Sequence, residues 1–159
     1  MKIAHIVKAS HNIGEGALIN GMHNVLNEDI KKNLEFDLID RKYFQAVHGK
    51  EYQKGSVSKR LDKEFIDFIN KNYNLLIIGG GGIIQTGKYD NFGGLVLAGD
   101  IESLDLIKIP FVIYAAGDNR FSKSDHFEYG DQLTKLIEKI SEYPKSLFSL
   151  RNDLSKERI

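Results

Sequence analysis

Tyr73 to Gly94 reads YNLLIIGGGGIIQTGKYDNFGG, and the way this stretch is read decides the fold. Leu75, Leu76, Ile77 and Ile78 form a short, wholly apolar run. A strand buried on both faces of a parallel sheet has that pattern. Gly79 to Gly82 follow at once. Without Cβ atoms they let the backbone reach positive φ and let a ligand approach main-chain N–H groups. In an open α/β sheet ligands sit beyond the carboxyl ends of the strands, so the run reads as the rim of a site. The alternative is a tight strand-to-helix turn that packs glycine against a neighbouring helix.

Working outward, Lys2 to Val7 reads as a first strand and Lys8 to Gly14 as a turn-rich loop. The spacing of Leu18, Met22, Val25, Leu26 and Ile30 predicts a helix from about Glu15 to Lys32. Asn12 is its expected N-cap, with Glu15 placed to complete a capping box. Leu34 to Ile39 reads as a second strand. Residues 40–58 are polar, dotted with aromatics and aperiodic, as in a functional or mobile loop. Lys59 to Asn72 reads as a helix with Leu61, Phe65, Phe68 and Ile69 on one face. Asn91 to Lys108 reads as another, interrupted by Gly99. Ile109 to Ala116 is a strand led by Pro110, and Asp125 to Tyr143 a helix with Leu133, Leu136, Ile137 and Ile140 as its stripe. Pro144 ends that helix, Ser146 to Leu150 is a short strand, and a further helix opens near the last residue, Ile159. Strands alternating with helices predict an α/β fold. The expected architecture is a Rossmann-like, doubly wound, mostly parallel sheet with helices on both faces. Residues 1–150 are expected to form one domain and 151–159 the start of an interdomain helix.

The charge balance narrows the function. Lys and Arg number 22 and Asp and Glu also 22, so no basic field draws nucleic acid or an anionic membrane. The chain has no cysteine, which removes disulfides and thiolate metal sites and fits a reducing, cytoplasmic setting. No apolar stretch approaches the length of a membrane span, and the first residues are too short an apolar run for a signal peptide.

Four segments follow predicted strands and gather at one sheet end: HNIGEGA, GGGGIIQTG, AAGDNRF and RNDLS. Together they supply glycine backbone, a helix N-terminus, Lys88, Arg120 and Arg151, the parts of an anion site. The expected anion-binding set is Asn12, Gly14, Gly80, Gly81, Gly82, Asn119, Arg120 and Arg151. The competing reading pairs Arg120 and Arg151 with Asp118 and Asp153. Glu15 is nominated as an acid or base if its carboxylate points into the site, and His11, on the rim beside Asn12, is the second such candidate. His5 reads as a core histidine and His23 as a helix-surface residue, while His48 and His126 carry no signal. Dinucleotide, P-loop, nucleophile-elbow and zinc-helix motifs are all missing, so neither a metal nor a cofactor is expected.

These motifs, taken together, resemble the polysaccharide pyruvyl transferase family. Its N-x-G-[DE] element is similar to Asn12-Ile13-Gly14-Glu15, and its apolar strand into four glycines to Leu75–Gly82. Its proline-led strand into G-x-N-R-F resembles Pro110–Phe121, with Gly117, Asn119, Arg120 and Phe121 in place. Its R-N-D-G-S element resembles Arg151, Asn152, Asp153 and Ser155, with Leu154 where glycine is usual. The likeness covers essentially the whole chain.

The resemblance implies the N-terminal half of a two-domain, GT-B-like transferase of cell-envelope exopolysaccharide synthesis. Such enzymes move the enolpyruvyl unit of phosphoenolpyruvate onto two sugar hydroxyls to give a cyclic ketal. That chemistry needs an acid for the methylene carbon, cations for phosphate and carboxylate, and a base for the hydroxyls. Further arginine and histidine residues are expected from the family's second half. This chain is thus expected to supply one wall of the cleft, alongside phosphoenolpyruvate or another small anion, a sugar acceptor, and a complementary half or second copy. Two other readings stay open: a binding or assembly module without catalysis, and a small nucleotide-binding α/β domain.

Overall fold

The computed structural model describes residues 1–7, 13–25, 28–40, 60–84, 98–99, 101–118 and 130–153. Five strands form the main sheet: β1 (Lys2–Val7), β2 (Glu35–Asp40), β4 (Leu75–Ile84), β6 (Phe111–Asp118) and β7 (Ser146–Leu150). Their spatial order is β2-β1-β4-β6-β7, and every pairing is parallel. The chain moves outward from β1 to β2, then returns past β1 and continues in the other direction. This is a doubly wound, Rossmann-like α/β sheet, with its topological switch point between β1 and β4.

Right-handed connections running in opposite directions put their helices on opposite faces. The first, α1 (Ile13–Val25), packs on β4. A short helix, α2 (Glu28–Lys31), leads to β2. The opposite face is covered by α3 (Lys63–Asn72), a 3-10 turn at Ile101–Leu106, and α4 (Gly130–Ser141). Along β1 the alternation is clean. Ala4 and Ile6 join the main core with Leu76, Ile78, Phe111 and Ile113, while Ile3, His5 and Val7 are buried toward α1.

The helix α3 starts where its cap dictates. The Asp62 side chain accepts from the Phe65 N–H at 2.9 Å, so the helix begins at Lys63 rather than Lys59. Phe65, Ile66 and Ile69 form its buried stripe. Leu61, expected on that stripe, instead lies in β3 (Arg60–Leu61), which pairs in parallel with β5 (Ala98–Gly99). That pairing removes Gly99 from the helix predicted over residues 91–108, and the described remainder is the 3-10 turn with Leu104 buried. The stripe of α4 is as expected, with Leu133, Leu136 and Ile140 buried and Ile137 packed against the core. β6 begins one residue after Pro110, whose carbonyl accepts from Leu76 N–H at 3.0 Å. Proline serves there because no N–H is required. β7 has the predicted bounds.

Two expectations are corrected. The helix after β1 is described in two parts, α1 over Ile13–Val25 and α2 over Glu28–Lys31, with residues 26 and 27 outside the described residues, and its phase differs from the one expected. Its buried residue is Ile19, one position from the predicted phase, and Val25 is 80% exposed. The second concerns the glycine run. β4 does not stop at Ile78 but continues through Gly79–Gly82 to Ile84, all of it buried. Ile83 and Ile84 bury their side chains in the core and carry the four glycines through as strand. The run is therefore neither a rim loop nor a strand-to-helix turn.

Candidate functional site

The carboxyl ends of β1, β4, β6 and β7 point to one end of the sheet, where α1 also begins. Pairing then sets which residues meet. Gly81 lies opposite Ala116 and Ala116 opposite Leu150, with register shifts in both ladders near this end. The next residue, Arg151, gives its backbone N–H to the Ala116 carbonyl at 3.0 Å. That bond extends the β6–β7 ladder by one step and aims the Arg151 side chain across β6.

The guanidinium lies directly against Gly117. A Cβ added at Gly117 would stand 2.9 Å from Arg151 Cζ, 3.0 Å from its Nε and 3.2 Å from the Gly81 carbonyl oxygen. Glycine at 117 is thus what makes room for the guanidinium beside Gly81. Arg151 itself is exposed. None of the ion pairs among the described residues includes it, so the pairing with Asp153 considered from sequence does not form. An exposed guanidinium without a carboxylate, at the ligand end of a doubly wound sheet, is free to take two oxygens of an anion.

The glycine run has its own geometry. Gly79 and Gly80 have φ of 128° and 92°, a region that side chains disfavour. A Cβ at Gly79 would lie 2.2 Å from the Tyr114 carbonyl oxygen, so the close approach there is to β6 and not to a ligand. On β6 itself Ala115 has φ 49°, an uncommon value for a residue with a side chain. In β4 the positive-φ residues come just before the register shift between Gly81 and Ile84, and in β6 Ala115 lies within the shift between Ile113 and Ala116.

His5 sits beneath this irregular backbone. It is fully buried on the α1 side, in register with Leu38 and Ile77. Its Nε2 lies 3.2 Å from the Gly79 carbonyl oxygen. A carbonyl only accepts, so Nε2 carries the proton and donates. The predicted core histidine is half satisfied, because Nδ1 is buried without a partner. Burial pushes its pKa down to about 4, against the opposing pull of the Gly79 carbonyl and with a small further push from His23.

His23 is a correction. It is not a plain surface residue: its ring stacks on Phe36 of β2 with centroids 4.1 Å apart and stands 5.8 Å from the His5 ring. Its Nε2 is buried without a partner, and burial lowers its pKa as well. The sequence signal was present in Phe36 of the adjacent strand, but only the packing of α1 brings the two rings together.

Of the predicted site residues, Gly81 and Arg151 are brought together, and Gly117 joins them. Gly80 and Gly82 are buried in β4, and Gly82 is already engaged. Gly14 lies in the first turn of α1 at the same sheet end. His11, Asn12, Asn119 and Arg120 lie outside the described residues, as does the side chain of Glu15. Among the described residues there is no group of three or more metal-ligating side chains, and no helix is long and apolar enough to cross a membrane. A surface pocket of about 360 Å³ between the 3-10 turn and α4 is lined by opposed charges such as Lys139 and Asp105, paired at 2.8 Å. It opens on the side of the sheet away from α1. No family model, no curated protein and no solved structure matches this chain.

Proposed function

We propose that this chain binds a small dianion at the carboxyl end of its sheet and belongs to a pyruvyl-transfer system, supplying one wall of a cleft that holds phosphoenolpyruvate. The observation that carries the reading is the Arg151 guanidinium, laid over Gly117 beside Gly81 and without an ion pair among the described residues. Phosphoenolpyruvate presents a planar carboxylate and a tetrahedral phosphate, and a guanidinium fork can take two oxygens of either. Arg151 would orient the donor and neutralise part of its charge. The resemblance of four ordered motifs supports the donor assignment, and the acceptor on this reading is a sugar diol met from the opposite wall.

Calorimetric titration with phosphoenolpyruvate, inorganic phosphate and a nucleoside triphosphate tests it. Saturable binding of phosphoenolpyruvate in preference to the nucleotide is the expected result. Preference for the nucleotide would favour the second reading, a nucleotide-binding α/β domain, which draws on the position of the switch point between β1 and β4. Absence of binding to any of the three would remove the anion site.

A further inference from the structure

We propose that His5 is the positioning residue of the strand-end site: its neutral ring, clamped under α1, holds the Gly79 peptide and so sets the backbone on which Gly81 meets Arg151. This deepens the anion-site reading and rests on it for its functional meaning.

The ladder between β1 and β4 stops early. β1 and β4 pair from Ile3–Leu75 to Ile6–Ile78 and no further. The next carbonyl of β4, on Gly79, is taken by a side chain of β1 instead, the His5 ring. At that point the φ angles turn positive, and the register with β6 shifts just beyond, between Gly81 and Ile84. Two residues beyond Gly79 stands Gly81, whose carbonyl lies in the Arg151–Gly117 contact. The bond from His5 is thus the last link from β1 to this backbone, which on its other edge stays paired with β6 as far as Gly81–Ala116.

Among the described residues, the groups packed around the ring offer no counter-charge. Leu38 flanks it on β2 and Ile77 on β4. From α1 come Ile19, which approaches Gly80, and His23. Asp37, the nearest carboxylate along β2, belongs to the opposite face, where it bonds Lys2 at 3.0 Å and the Tyr73 hydroxyl at 2.9 Å. His23 is therefore the only titratable group described as facing His5. A second proton on His5 would go to Nδ1, which among the described residues has no hydrogen-bond partner. A cation there keeps its Nε2–H toward the Gly79 carbonyl but is buried without a counter-charge among the described residues, so it gains hydration only by shifting α1 and drawing the ring away from Gly79. The positioning is proton-linked: intact at neutral pH and lost in acid.

The test is a pH titration of the whole chain by amide and imidazole NMR, in wild type and in His5→Gln. The glutamine amide N–H reaches as Nε2 does but does not titrate. In wild type the Gly80 and Gly81 amides should shift with the same midpoint as the His5 ring, well below 6, while α3 and α4 amides stay in place. In His5→Gln that midpoint should vanish and the neutral-pH signals should persist. Phosphoenolpyruvate affinity should fall about tenfold more in wild type than in His5→Gln across the step, the ligand's own protonation being common to both. Glycine amides that ignore the His5 titration, or that titrate equally in His5→Gln, would overturn the proposal. So would loss of α3 and α4 signals together with the glycines, which would make His5 a purely structural residue. Titrating glycines without ligand binding at any pH would uphold the positioning of the backbone and sink the anion reading alone.

Discussion

Arg151 and Gly117 are in contact such that a Cβ on the glycine would fall 2.9 Å from the guanidinium carbon. The atom it meets is the far end of a flexible side chain, which moves away at little cost. Gly117→Ala is therefore expected to change stability by less than about 1 kcal/mol while displacing the guanidinium from Gly81. Urea denaturation and phosphoenolpyruvate titration of the same variant check both halves. A large loss of stability, or undiminished binding, would contradict the role given to this glycine.

Arg151→Ala should weaken anion binding by about 1.5–3 kcal/mol, the range for hydrogen bonds to a charged group. Arg151→Lys should recover only part of it, since an ammonium keeps the charge but not the planar fork. Calorimetry distinguishes the three proteins. Equal affinity in all of them would exclude Arg151 from the site.

Gly79→Ala is expected to behave in the opposite way to the alanine at 117. The added methyl would clash with a backbone oxygen, at 2.2 Å, in a strand with φ 128°. Strain and overpacking together cost about 2–5 kcal/mol. Chemical denaturation reads this directly, and a variant as stable as wild type would mean that the backbone of β4 is more regular than described.

Stability should depend on pH through His5. Its pKa in the fold, about 4, is below the 6.5 of the free side chain. The folded state therefore disfavours the proton. The stability is full above pH 6.5 and is lost as the pH falls from there toward 4, by about 3 kcal/mol in all from this group. Denaturation midpoints at pH 7 and pH 4.5 measure the fall, and His5→Gln should lessen the difference between them.

Asp62→Ala should cost about 1 kcal/mol by leaving the Phe65 N–H without its cap. Asp62→Asn and Asp62→Ser should restore most of that. Thermal denaturation of the three variants suffices, and an alanine variant of unchanged stability would remove the cap from the account of where α3 begins.

Much of the fold was legible in the sequence because strand and helix patterns are local. Ser146–Leu150 and the stripe of α4 were read with their observed positions. Phase was harder in α1, where apolar residues lie on more than one face and the tertiary contact with Gly80 selects Ile19. The glycine run shows a wider limit. Four glycines announce that something comes close to the backbone, yet composition does not say what, and at Gly79 it is the carbonyl of Tyr114. Arg151 was legible as a cation at a strand end, with pairing to Asp153 left open as the alternative. Its seat on Gly117 was not, since it depends on the register between β6 and β7. The exposed placement expected for His23 failed for the same reason, its partner Phe36 lying on another strand.

His5 and Gly79 are 74 residues apart in the chain, and β1 pairs with β4 across a similar span, Ile3 opposite Leu75. The centre of the sheet therefore cannot zip up from a hairpin. It forms by a long search, and loop closure over such spans is what slows the folding of parallel sheets. During the search LLIIGGGGII waits with its edges unpaired, an apolar, β-prone segment open to pairing with its own kind in a second molecule. Glycine is a poor partner in such stacks. The four residues that let β4 pass close to β6 also make its waiting form less adhesive, so that the run protects the nascent chain as well as shaping the finished one.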